Sequence, residues 1–178
     1  MGAGKSTVGR QLADRMGKRF IDADRELEAR CGVAIPVIFD VEGEAGFRRR
    51  EALLLDELTQ ESDVVLATGG GAIEDAATRA ALKSRGVTIY LAASPLELSS
   101  RTRSDRNRPM LRGAEPHERL EELLARREVW YREVADLVVE TGRPSVSRLA
   151  ALIIEALRAH PEGAALVASV RDVVRSGT

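Results

Sequence analysis

Apolar positions along the chain switch repeatedly between a helical period and short continuous runs. Val8, Leu12 and Met16 fall four apart, which predicts a helix over Lys5–Met16, with Gly17 placed to end it in a left-handed turn. Phe20 and Ile21 predict a short buried strand that runs into Asp22 and Asp24, and a helical stretch follows from Arg25. Phe47, Glu51, Leu54, Leu55 and Leu58 share a face, so residues 44–59 read as a longer helix. Val64–Ala67 is uninterrupted apolar sequence, expected as a strand buried on both faces, and Gly69, Gly70 and Gly71 end it. Residues 75–85 are helical up to Gly86, and 87–91 form the next strand. Ser94, Pro95 and Glu97 announce a helix start, with Ser94 at the cap, Pro95 at the first helical position and Glu97 closing a capping box. Leu120, Leu123, Leu124 and Arg127 open another helix, residues 137–139 form a strand, and Leu149, Leu152, Ile153 and Leu157 mark the inner face of a helix over 147–160.

Strands alternating with helices imply an α/β fold with a parallel sheet covered on both faces. Ligands of such sheets sit at the carboxyl ends of the strands, where Asp22, Asp24 and Gly69, Gly70 and Gly71 all fall. Residues 1–160 are expected to form a single domain, with a polar, arginine-rich mobile loop at about 104–116. In the tail, 161–178, Val167, Val170, Val173 and Val174 keep helical spacing, which fits a docked helix or a frayed end equally well.

Composition narrows the function classes. A chain of 178 residues with formal net charge −1 has room for one core and no global basic field to recruit nucleic acid or anionic membrane. Aromatic residues are only 3%, so the arginine-rich loop lacks platforms for stacking bases. Cys31 is the single cysteine, which excludes a disulfide framework, makes a cytoplasmic location the default and suggests a buried structural thiol. No apolar run approaches the roughly 20 residues of a membrane span. His117 and His160 lack ligand spacing and receive no role.

The segment Gly2, Ala3, Gly4, Lys5, Ser6, Thr7 carries the clearest chemistry. Glycines let backbone N–H groups turn toward phosphate oxygens, lysine supplies a point charge to the β- and γ-phosphates, and the Ser6 hydroxyl suits Mg²⁺. The helix that starts here adds its positive end. These are the features of the second half of a phosphate-binding P-loop. The first glycine of the motif G-x-x-x-x-G-K-[ST] would fall ahead of Met1, as would the strand that normally feeds the loop. Residues 1–178 are therefore expected to lack the sheet's central first strand, between 64–67 and 87–91, and to be unstable, swapped or weakly active. An apolar, β-branched extension of roughly ten residues is expected to restore strand and loop.

Five further segments resemble the shikimate kinase family in order and spacing. Asp22-Ala23-Asp24 is similar to its D-x-D, and Phe47-Arg48-Arg49-Arg50-Glu51 to its F-R-x-x-E. Thr68-Gly69-Gly70-Gly71 is similar to its G-G-G turn, Arg108-Pro109-Met110-Leu111 to the R-P-L of its lid, and Tyr131-Arg132 to its Y-R. The resemblance implies a three-layer P-loop kinase fold of the nucleoside-monophosphate-kinase type. The activity it implies is ATP-dependent phosphorylation of the shikimate 3-hydroxyl in aromatic amino-acid biosynthesis, with Mg²⁺, by a cytoplasmic monomer.

Carried over residue by residue, it implies Lys5, Asp24 and Arg108 as catalytic groups and Asp22 as a water-mediated Mg²⁺ partner alongside Ser6. It implies Asp24, Arg48, Gly70, Gly71 and Arg132 as substrate contacts. For ATP it implies the loop residues 2–7 with Arg101, Arg108 and, in the 141–144 turn, Arg143. Residue chemistry agrees, because guanidinium groups grip carboxylates in a bidentate fork. Each residue also has a plainer role: Arg48 as a solvated helix charge, Arg132 as a complement to a helix end, and Asp24 as a helix cap. Gluconate kinases, which share fold and acceptor type, and a non-catalytic nucleotide-binding protein remain the alternatives.

Overall fold

A computed structural model describes residues 3–94, 97–98, 116–142 and 144–167, with backbone only for 116–120. The first helix, α1, is Lys5–Met16, and its buried face is Val8, Leu12, Ala13 and Met16. Gly17 ends it at φ 64°, a conformation that costs glycine little. Strand β1 (Arg19–Asp22) leads into α2 (Ala23–Cys31). Helix α3 spans Ile35–Leu58 and bends at Gly43, whose φ of 69° lies outside helical geometry. Its second half is the helix expected over 44–59. The first half was not foreseen, because Pro36, Gly43 and Gly46 punctuate the segment. Pro36 in fact occupies the helix's first turn, and the rings of Phe39 and Phe47 meet across the bend at 4.7 Å.

Strand β2 is Val64–Ala67, α4 is Ala76–Ser84 and β3 is Ile89–Ala92. A 3₁₀ turn, Ala72–Glu74, joins the glycine turn to α4. Strand β3 starts two residues later than its apolar run, because the Thr88 N–H donates to the Asp136 carboxylate at 2.7 Å instead of entering the ladder. The capping box forms as expected: the Ser94 N–H donates to Glu97 Oε2 at 3.0 Å and the Glu97 N–H to Ser94 Oγ at 3.3 Å. Helix α5 (Pro116–Val134), strand β4 (Leu137–Glu140) and helix α6 (Val146–Ala159), capped by Ser145, complete the core elements. The tail begins with a single turn, α7 (Gly163–Leu166), and Val167 is buried against the α1–α6 cluster, so this part of the tail is docked. The remainder of the tail and nearly all of the expected lid, 104–115, lie outside the described residues. Cys31 is half-buried rather than buried, with its sulfur 3.8 Å from an Arg50 nitrogen.

The strands pair in parallel, β1 with β2 from Arg19↔Val64 to Asp22↔Ala67 and β3 with β4 from Ile89↔Leu137 to Ala92↔Glu140. Both pairs rest one face on the same helical layer, since Val65, Ile89, Leu91, Leu137 and Val139 pack on Val8, Leu12, Leu149 and Ile153. On the other face of β1–β2, Ile21 and Leu66 pack with Leu27, Phe47, Leu54, Leu55 and Leu58. Strands β2 and β3 are not hydrogen-bonded to each other. A cavity of about 500 Å³ is lined by both of them, where the sequence leads one to expect the sheet's central strand. Val64, Val65 and Leu66 are consequently half-buried, not sealed on both faces.

Leu55 is fully buried at 0% exposure in the α2–α3 cluster. Leu55→Ala is expected to lower stability by roughly 2–5 kcal/mol, seen as a lower urea midpoint at unchanged slope.

Candidate active site

The phosphate loop and a cluster of charged side chains meet at the carboxyl ends of β1 and β2. Gly4 caps α1 in a left-handed conformation (φ 83°) and offers no side chain, so the first-turn N–H groups of α1 are left for an external acceptor. Lys5, half-buried, opens the helix and lines the mouth of the cavity between the sheets. Ala3 is buried and Thr7 exposed; Gly2, Arg101, Arg108 and Arg143 lie outside the described residues. The Ser6 hydroxyl donates to Asp22 Oδ2 at 2.5 Å, which brings together the two residues expected to serve Mg²⁺. Both offer hard oxygen donors. Mg²⁺ commonly takes one or two carboxylates with waters and substrate phosphates, so a pair of this kind fits it without a protein cage. Among the described residues no cluster of three or more His, Cys, Asp or Glu is placed to hold a metal.

Asp22 also caps α2, accepting from the Arg25 N–H at 3.5 Å. The cap role considered for Asp24 therefore belongs to Asp22, and Asp24 is an exposed residue in the helix's first turn. Its carboxylate approaches the glycine turn: a Cβ built on Gly69 would lie 3.1 Å from Asp24 Oδ1 and would collide with Glu51 Oε1.

Arg48 and Glu51 lie one turn apart on α3, at the foot of the glycine turn. Arg48 Nη1 donates to Glu51 Oε2 at 2.5 Å, and Glu51 is 4% exposed. Burial works against the charge of Arg48, but the Glu51 carboxylate outweighs it and holds the guanidinium above its ordinary value. Burial pushes the Glu51 carboxyl up; Arg48 pulls it back, and Asp24 adds to the rise. A Cβ on Gly71 would fall on the Arg48 guanidinium, so the turn and the arginine are in close contact. Arg48 Nε and Glu51 Oε1 are buried without a hydrogen-bond partner.

Two arginines on α5 separate sharply. Arg132 is 60% exposed and pairs with Glu128 at 2.7 Å, so its side chain is on the solvent face of the helix and not at the turn. Arg127 is 3% exposed, donates from Nε to Glu74 Oε1 at 2.8 Å, and keeps Nη2 buried without a partner. Tyr131, one helical turn on, donates its hydroxyl to the Gly70 carbonyl at 2.5 Å. Arg127, Glu74 and Tyr131 were not assigned site roles from the sequence. The available signal was Arg127 itself, a charge within the buried stripe of Leu123 and Val134.

A glycine-capped helix start at the ends of parallel strands, close to a glycine turn packed on the Arg48–Glu51 pair, has the features of a P-loop phosphotransferase of the small-molecule kinase class. The family model for shikimate kinase matches residues 1–158. The chain is 55% identical to the shikimate kinase of Bordetella pertussis over 160 residues, 90% of this chain and 76% of that one. It is also 55% identical to that of Halorhodospira halophila, covering 90% and 91% of the two chains. The structure of shikimate kinase from Acinetobacter baumannii in complex with shikimate superposes with a TM-score of 0.89 at 45% identity, covering 90% of each chain. The Aquifex aeolicus shikimate kinase gives 0.78 at 32% identity, over 92% of this chain and 95% of that one. The chain belongs to the shikimate kinase family. Among the described residues no helix is long and apolar enough to cross a membrane.

Gly71→Ala tests the close packing at the turn. Its φ of −94° suits any residue, so the whole effect is steric displacement of Arg48. Acceptor binding should fall at least about tenfold by calorimetry, a cost of about 1.4 kcal/mol, with ATP binding unchanged.

Proposed function

We propose that the chain transfers the γ-phosphate of ATP to the 3-hydroxyl of shikimate. The observation that carries this reading is that Asp24 and Arg48 pack on the 69–71 turn and Arg127 is bound to Glu74 just beyond it, with a guanidinium nitrogen of each arginine buried and unpartnered. Buried polar groups rarely stay unsatisfied, and a small carboxylate bearing hydroxyls supplies acceptors for both nitrogens.

Arg48 and Arg127 hold the acceptor's carboxylate, with Arg127 replacing the Arg132 of the sequence reading. Gly70 and Gly71 offer backbone contacts. Asp24 orients the attacking hydroxyl and accepts its proton. Lys5 and the loop N–H groups hold the β- and γ-phosphates and neutralise charge as it moves to the leaving oxygen. Ser6 and Asp22 would hold Mg²⁺, which when bound neutralises phosphate charge. Arg108, Arg101 and Arg143 keep the nucleotide and lid roles that the resemblance implies. The reading includes a cytoplasmic, monomeric enzyme.

Coupled ADP release with shikimate, gluconate and a nucleoside monophosphate tests the reaction. Turnover with shikimate alone is expected; turnover with gluconate or the nucleotide in its place refutes the reading. Arg48→Ala and Arg127→Ala should each raise the shikimate KM by about 10- to 150-fold, the worth of one charge-assisted bond, and leave the ATP KM unchanged. Arg132→Ala should change it by less than about fivefold, since an exposed pair contributes at most about 1 kcal/mol. A large effect at Arg132 with none at Arg127 would restore the original assignment. Asp24→Asn should lower kcat with ATP binding intact, by stopped-flow and calorimetry.

A further inference from the structure

The segment that follows β2 is tied to α5 at three points. At the first, Tyr131 donates its hydroxyl to the Gly70 carbonyl at 2.5 Å. At the second, Glu74 Oε1 accepts from Arg127 Nε at 2.8 Å and from Arg126 Nη2 at 2.7 Å. At the third, Arg79 donates to the carbonyls of Ile73 and Glu74 at 2.8 and 3.2 Å while its guanidinium lies 5.1 Å from the Trp130 ring. Arg127 and Tyr131 are four apart on α5, so one face of one helix receives both Glu74 and Gly70.

The ties are themselves supported. Tyr131 stacks on Tyr90 of β3 at 4.8 Å and 17°. The Tyr90 hydroxyl donates to Glu128 Oε2 at 2.7 Å, and Arg132 holds the other oxygen of that carboxylate. Arg132 thus acts at the outer end of a chain that runs Arg132, Glu128, Tyr90, Tyr131, Gly70. Glu74 is drawn in by charge: burial resists its ionisation, but hydrogen bonds from Arg127 and Arg126 outweigh this and hold its carboxyl below the usual range.

Resting on the function proposed above, we propose that Glu74 and Tyr131 are positioning residues, locking Arg127 and the 70–71 turn into one unit that meets the acceptor with fixed spacing. Glu74 binds Arg127 through Nε, which leaves Nη2 as the nitrogen presented to the acceptor. Tyr131 fixes the turn that presses on Arg48, so both arginines of the pocket are set from the same helix face. The acceptor then binds to groups already in place, and the ordering cost falls on folding instead of on binding.

Tyr131→Phe and Glu74→Gln test the lock with little change in size. Each should raise the shikimate KM by about 5- to 20-fold, with the ATP KM within about twofold of the parent enzyme. Equal rises in both KM values, or no rise in the shikimate KM, would overturn the proposal. A second readout needs no activity: without ligands, amide exchange over residues 68–75 should be at least about tenfold faster in each variant, while exchange in α1 stays unchanged. Unchanged exchange over 68–75 would also overturn it. If the parent enzyme fails to phosphorylate shikimate but the variants still loosen 68–75, the substrate assignment fails and the lock stands. Either variant alone suffices, so misfolding of one does not remove the test.

Discussion

The acceptor end of the molecule depends on the buried pair Arg48–Glu51. Taking two charges out of water costs several kcal/mol per ion, and a 2.5 Å contact recovers that only if the remaining polar atoms find partners. Here they do not: Arg48 Nε and Glu51 Oε1 are left over, and Arg127 Nη2 joins them nearby. Two glycines are needed around the pair, because side chains at 69 or 71 would displace Glu51 or Arg48. A pair chosen for stability alone would be better replaced by apolar packing. This one keeps unsatisfied groups, and on the function proposed above an anionic, hydroxylated acceptor satisfies them, so that binding removes a cost already built into the fold.

The phosphate end and the acceptor end share one short junction. Asp22 closes β1, accepts the Ser6 hydroxyl at 2.5 Å and begins α2 with a much longer cap bond of 3.5 Å. Its stronger obligation is therefore to the phosphate loop. Asp24 stands two residues further on, against the glycine turn. The β1–β2 ladder, ending at Asp22↔Ala67, fixes the distance between that junction and the turn. Donor and acceptor geometry are thus set by one strand pair, and phosphoryl transfer, which relies on positioning and charge neutralisation more than on covalent help, is suited to such a frame.

Most of this frame was legible in the residue pattern. Helix α1, strand β2 and the cap at Ser94 are local signals, and local signals survive folding. The first half of α3 was not legible, because Pro36 and Gly43 interrupt its pattern, whereas in the structure Gly43 is a bend across which Phe39 meets Phe47. The start of β3 depended on Asp136, which is 48 residues from Thr88 in sequence. Arg48, Glu51 and the glycine turn, which the sequence groups by motif and helix face, do come together in the structure. The Tyr131-Arg132 motif gives adjacency along the chain, whereas burial selects a helix face. Arg127 lies on that face and Arg132 does not.

The balance of charge around the pocket bears on which anion it takes. Arg48 and Arg127 are the cations, but Glu51 holds one, Glu74 holds the other, and Asp24 adds a third carboxylate beside them. The guanidinium groups are therefore matched or outnumbered by carboxylates, and the site is not a simple positive hole. A dianionic phosphate brought there would meet guanidinium groups whose charge is already largely offset, and carboxylates that repel it. A single carboxylate needs only the remaining N–H donors, and its hydroxyls can use the carboxylates as acceptors. The start of α1 instead presents the positive end of a helix dipole. On the function proposed above, separating the two environments lets one small site hold a polyphosphate at one end and a monoanion with hydroxyls at the other, with little tendency to exchange them.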